Sequence, residues 1–97
     1  MLKHVVFFKF RGGIGEAEIE DLEKGLAALP SAIPEILSYE FGRDVVQSER
    51  SYDFALVSLF KDLESMQRYQ NHPEHQVVLK IVNELCESVM AVDFISK

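Results

Sequence analysis

The sequence predicts an α+β domain with its elements in the order βαββαβ, and three observations predict it. Four short runs are rich in β-branched and aromatic residues. Two longer runs repeat apolar residues at helical spacing. Two of the strand runs are apolar on both faces, as strands in the middle of a sheet are.

Residues 3–11 (KHVVFFKFR) form the first expected strand. Alternation puts His4, Val6, Phe8 and Phe10 on one face, and Val5 and Phe7 on the other between Lys3 and Lys9. Gly12-Gly13-Ile14-Gly15 follows and reads as a turn. It lacks the Gly-Lys-Ser/Thr of a phosphate loop, and Glu16 and Glu18 behind it would repel an anion. Residues 16–29 form the first helix, with Ile19, Leu22, Leu26 and Leu29 in one stripe. Glu16, Glu18, Glu20 and Asp21 crowd the end that the helix dipole favours, and Pro30 is expected to end the helix.

Residues 36–46 form the second strand, with Leu37, Tyr39 and Phe41 on an apolar face and Ser38, Glu40 and Gly42 on a solvated one. Arg43 and Asp44 at its end are expected to form a local ion pair, worth under about 1 kcal/mol. Residues 47–51 (QSERS) make a polar hairpin loop. Residues 52–60 form the third strand, with Phe54, Leu56 and Phe60 opposite Ala55, Val57 and Leu59. Asp62 is the N-cap of a short helix over 63–70. The chain breaks at Asn71-His72-Pro73, because a residue before proline leaves the helical region and Pro73 suits the first position of a new helix. That helix runs to about residue 86 with Val78, Ile81, Val82 and Leu85 inward, and residues 88–95 (SVMAVDFI) close the chain as a strand.

This order is the split βαβ, ferredoxin-like pattern: a four-stranded antiparallel sheet with helices on one face. Val5, Phe7, Val57 and Leu59 would leave a wet apolar patch on the other face. A second copy is the simplest cover, so a homodimer through the sheet face is expected.

Composition bounds the function. The 97 residues make one domain, 1–97, and 47% hydrophobic with 27% charged residues is an ordinary folded balance. Ten basic against sixteen acidic residues give a net charge of −6, which repels phosphate backbones and anionic membranes. Neither nucleic acid nor membrane is therefore an expected partner. No apolar run approaches the length of about 18 residues that a membrane span needs, and Met-Leu-Lys-His enters a strand at once, so no signal peptide is expected. The lone Cys86 excludes an internal disulfide and suits a reducing cytoplasm; it is expected to be a packed thiol. No cofactor motif is present. His72 and His75 with His4 match zinc chemistry in residue type, but His72 is an N-cap candidate and no carboxylate completes the set, so no metal is expected.

Several segments together resemble the stress-responsive dimeric α/β-barrel domain family over nearly the whole chain. They are His4-Val5-Val6-Phe7-Phe8-Lys9-Phe10, Ile33-Pro34, Tyr39-Glu40-Phe41-Gly42-Arg43-Asp44, Tyr52-Asp53, Tyr69 with His72-Pro73-Glu74-His75, and Val92-Asp93-Phe94. The resemblance implies a ferredoxin-like dimer whose two sheets close a barrel. The family includes heat- and stress-induced plant proteins and a plant polyketide cyclase, in which a tyrosine and a histidine act on a polyketide held between sheet and helices. By that resemblance Tyr69 and His75 are the candidate catalytic pair and His4 a further pocket histidine. Leu26 stands where the cyclase has a pocket tyrosine, and Cys86 where it has a large aromatic; both departures bear on the substrate.

The residue chemistry agrees with such a site. His75 lies in the first turn after Pro73, where backbone N–H groups disfavour imidazolium and leave a neutral ring fit to be a general base. Tyr69 suits hydrogen-bond donation to a carbonyl or enolate. The expected pocket joins His4, Tyr69 and His75 to apolar Val6, Phe8, Leu26, Leu56 and Val78. It would hold a small carbonyl, aromatic or polyketide-like molecule and support cofactor-free cyclisation, isomerisation or a lyase step. The alternative is a non-catalytic stress-responsive protein valued for its assembly. In that case Tyr69 and His75 only shape the helix break, and His4 bonds backbone or solvent. An open cavity holding all three polar side chains favours the first; a cavity filled by Phe8 and Leu26 favours the second.

Overall fold

The computed structural model describes residues 1–97. Its elements are β1 (Leu2–Phe10), α1 (Glu16–Ala32), β2 (Ser38–Arg43), β3 (Phe54–Phe60), α2 (Leu63–Asn71), α3 (Pro73–Leu85) and β4 (Cys86–Ile95). The four strands pair antiparallel in the order β2-β3-β1-β4. The two strands that are apolar on both faces, β1 and β3, are thus the central ones. The fold is ferredoxin-like, with all three helices on one face of the sheet.

That face carries the core. Leu22, Leu26 and Leu29 of α1, Met66 and Tyr69 of α2, and Val78, Val82 and Leu85 of α3 are buried against Val6, Phe8, Phe54, Leu56 and Phe60. α1 and α3 approach closely at Gly25, where a Cβ would sit 3.3 Å from Val78 Cγ2. The strand register sets residues in rows across the sheet. Tyr39, Ser58, His4 and Asp93 form one row, and Phe41, Leu56, Val6 and Ala91 the next. The opposite face shows Val5, Phe7, Val57 and Leu59, and the register extends it with Met90, Val92 and Phe94 of β4. Phe7 is 44% exposed and Phe94 45%. No helix is long and apolar enough to cross a membrane.

Four local expectations are corrected. Pro30 does not end α1; the helix runs to Ala32 and closes where the Ile33 N–H donates to the Leu29 carbonyl at 2.9 Å. Proline forfeits its own N–H bond and crowds the Leu26 carbonyl one turn back, and a last turn pinned by the fully buried Ile33 tolerates that cost. β2 is shorter than expected at both ends, and Leu37 is 51% exposed rather than inward. Beyond Arg43 the Asp44 carboxylate accepts the Gln47 N–H at 2.6 Å, and Gln47 takes a φ of 54°, which turns the chain off the sheet. The Arg43–Asp44 pair does not form. Arg43 instead reaches α1, donating to Glu16 at 2.8 Å and to both Glu23 oxygens at 2.8 and 3.2 Å, because Asp44 is engaged in its own turn. Last, β3 begins at Phe54 rather than residue 52, and β4 begins at Cys86 rather than residue 88. Neither shift changes which face a residue occupies.

The N-caps of α2 and α3 form as the residue types require. Asp62 Oδ1 accepts the Ser65 N–H at 2.8 Å, and His72 Nδ1 accepts the Glu74 N–H at 3.1 Å.

Candidate functional site

A cavity of about 180 Å³ lies between the sheet and the helices, at the break between α2 and α3. His4, Val6, Phe8, Leu26, Leu56, Tyr69, His75 and Val78 all line it, joined by Gln70, Leu79 and Val82 from the helices and Val89 and Ala91 from β4. Two wider crevices, about 250 and 450 Å³, flank Arg43 and contain no histidine.

Each polar side chain is placed by its element. His4 faces the helices by the parity of β1 and is 7% exposed. The register sets it opposite Asp93 of β4, whose Oδ1 accepts from His4 Nδ1. Tyr69 lies in the last turn of α2 and is 1% exposed. Its ring centroid is 4.4 Å from that of His75 and 6.3 Å from that of His4. Its hydroxyl lies 2.7 Å from the hydroxyl of Tyr39.

The helix break fixes His75. In a continuous helix the Gln70 carbonyl would accept from the Glu74 N–H, but that N–H is taken by the His72 cap. The freed carbonyl accepts from His75 Nδ1 at 3.1 Å and from Gln76 Nε2 at 2.7 Å. A carbonyl only accepts, so Nδ1 carries the hydrogen and Nε2 of the neutral ring carries the lone pair. No buried side-chain nitrogen or oxygen lacks a partner. The free Nε2 atoms of His4 and His75 are therefore open to the cavity or to solvent rather than sealed in the core.

Burial lowers the pKa of His75 below 6.5, with His4 and His72 adding to the effect and the Gln70 hydrogen bond opposing it. The direction is that expected from the sequence; the main cause is burial, not the start of α3. Burial also raises the Tyr69 phenol to about 12, against a lowering by its hydrogen bond with Tyr39, so Tyr69 stays a donor at neutral pH. Cys86 is buried and its thiol is raised to about 11, mainly by burial, which makes it unreactive. No three His, Cys, Asp or Glu side chains converge on a point where one ion would sit. The cavity thus offers one protonated phenol, two imidazoles and apolar walls.

Sequence reasoning missed three contributors: Asp93, Tyr39 and the Gln70 carbonyl. Asp93 had a signal, as the one charged residue in SVMAVDFI. Tyr39 had none, since it alternates with Phe41 as a packing residue would.

Residues 2–96 match the profile described as the stress responsive A/B barrel domain. An uncharacterised protein of Streptomyces coelicolor is 30% identical over 93 residues, covering 94% of this chain and 96% of its own. Olivetolic acid cyclase of Cannabis sativa is 28% identical over 95 residues, covering 96% of this chain and 94% of its own. Among solved structures, a dimeric ferredoxin-like protein from Thermobifida fusca is similar at a TM-score of 0.88 and 31% identity, covering 96% of this chain and 88% of its own. A hydroxynitrile lyase from Passiflora edulis shares the fold at a TM-score of 0.88 and 17% identity, covering 99% of this chain.

Proposed function

The chain belongs to the stress responsive A/B barrel domain family, and from that premise we propose that it binds a small carbonyl, aromatic or polyketide-like molecule in the cavity at its helix break and moves a proton there. The reaction class is a cofactor-independent cyclisation, isomerisation or related lyase step. The observation that carries this reading is the open cavity itself: Phe8 and Leu26 line it without filling it, and His4, Tyr69 and His75 border it together. In this reading His75 Nε2 takes a proton from the carbon beside the carbonyl. The Tyr69 hydroxyl donates to the oxygen on which enolate charge develops. His4 is a second imidazole on the cavity wall, oriented by Asp93. The apolar walls of Val6, Leu56 and Val78 hold the ligand's ring or chain.

The cyclase among the relatives supports a carbonyl substrate class. The reading also includes a homodimer through the open sheet face, supported by the dimeric neighbour and by the apolar residues that face carries. A thermal-shift screen of aromatic and β-keto compounds tests the ligand class. At least one compound should raise the melting temperature of the wild type, and His75→Ala should lower its turnover by about 10²- to 10⁴-fold while remaining folded. A screen in which no carbonyl compound outperforms its hydrocarbon counterpart would sink the proposal.

A further inference from the structure

We infer that Tyr39 is a positioning residue for Tyr69: its hydroxyl donates to the Tyr69 oxygen and so leaves the Tyr69 proton free for an oxygen that enters the cavity. The inference rests on the reading of that cavity as a carbonyl site. Two hydroxyls 2.7 Å apart share one hydrogen bond, and either can be its donor. Only one arrangement leaves Tyr69 with a proton to give. Tyr69 lines the cavity and Tyr39 does not. A carbonyl or enolate oxygen only accepts, so a bound ligand selects the arrangement in which Tyr39 donates. The surroundings offer Tyr39 no competing partner. It sits in the sheet row with Ser58 and His4, yet its hydroxyl bonds to neither and has Tyr69 as its one hydrogen-bond partner.

Burial raises both phenols, so both keep their protons at neutral pH and Tyr69 has one to give once Tyr39 donates to it. Hydrogen bonds in a chain polarise one another, so the bond from Tyr39 makes Tyr69 the stronger donor toward the ligand. Tyr39 would therefore affect chemistry in a cavity it does not touch.

Two measurements separate this inference from the carbonyl reading beneath it. In the unliganded protein, 3,5-difluorotyrosine at position 69 brings that ring's titration within reach of ¹⁹F NMR. If Tyr39 donates, it stabilises the position-69 phenolate, and Tyr39→Phe should raise the titration midpoint by about half to one pH unit, the scale of one neutral hydrogen bond. A midpoint that falls or stays fixed would overturn the inference. The second measurement uses acetophenone labelled at its carbonyl carbon and follows the infrared stretch of the bound ketone. The wild type should shift it to lower frequency, Tyr69→Phe should remove the shift, and Tyr39→Phe should reduce it and weaken binding roughly 2- to 10-fold. If the midpoint rises but Tyr69→Phe leaves the stretch unchanged, the donation from Tyr39 to Tyr69 stands and the carbonyl reading fails.

Discussion

At the scale of single residues the site is a set of hydrogen bonds that decide which atom remains free. Gln70 holds His75 by Nδ1, and Asp93 holds His4 by the same atom. Replacing the proposed general base should fall mainly on chemistry: His75→Ala should lower turnover by about 10²- to 10⁴-fold with little change in folding. Replacing the orienting carboxylate should cost stability. Asp93→Val leaves a buried imidazole nitrogen unpaired, a penalty of about 1–3 kcal/mol, and at about 4–8 °C per kcal/mol for a chain of this size calorimetry would resolve it. Asp93→Asn keeps an accepting oxygen and should cost less. His75 also sets a pH dependence. Unfolded, the ring titrates near 6.5; folded, it titrates lower. Between those values the unfolded chain binds a proton that the folded chain refuses, so this contribution is complete above 6.5 and is lost as pH falls through the window. The melting temperature should therefore drop below pH 6.5, and His75→Gln should flatten that part of the curve. Glu16 and Glu35, held low by Arg43 and Arg68, act only further down, below 4.5.

At the scale of elements the spacing between α1 and α3 controls the cavity. Gly25 is the point of contact, and Val78, which it meets, is also a cavity wall. Gly25→Ala gains about 1 kcal/mol of helix propensity but presses a methyl group against Val78, so its net effect on stability should stay within about that size. Gly25→Leu should force the helices apart, lowering both the melting temperature and the affinity for any ligand found in the thermal-shift screen. An unchanged affinity in a folded Gly25→Leu protein would show that the helix spacing does not define the cavity. Elements were also the scale at which the sequence was most legible. The period of two in β1 and β3 and the period of 3.6 in α1 and α3 are local signals, and so is the His72-Pro73 break. The missing parts were non-local or depended on position within an element. Proline usually stops a helix, and only the burial of Ile33 shows why Pro30 does not. Arg43 found its partners twenty and more residues away on α1. Asp93 meets His4 across 89 residues of chain, a pairing fixed by strand register and invisible to spacing.

At the scale of the whole molecule, one sheet separates two tasks. Its covered face builds the cavity from one chain alone, and its open face carries the apolar surface on which the proposed dimer rests. Val57→Asp places a charge in the middle of that surface and should convert a dimer into a monomer in sedimentation at micromolar concentration, with a lower melting temperature. A wild-type chain that sediments as a stable monomer would refute the pairing. Within β1 the two tasks alternate residue by residue: His4, Val6 and Phe8 serve the cavity, Val5 and Phe7 the surface. That alternation governs how such a chain can diverge after gene duplication. Drift at the even positions changes what each copy holds while leaving the odd positions, and hence the mating surface, as they were. Two daughters with different ligands would still assemble with one another, and mixed pairs would persist until the odd positions also drifted apart.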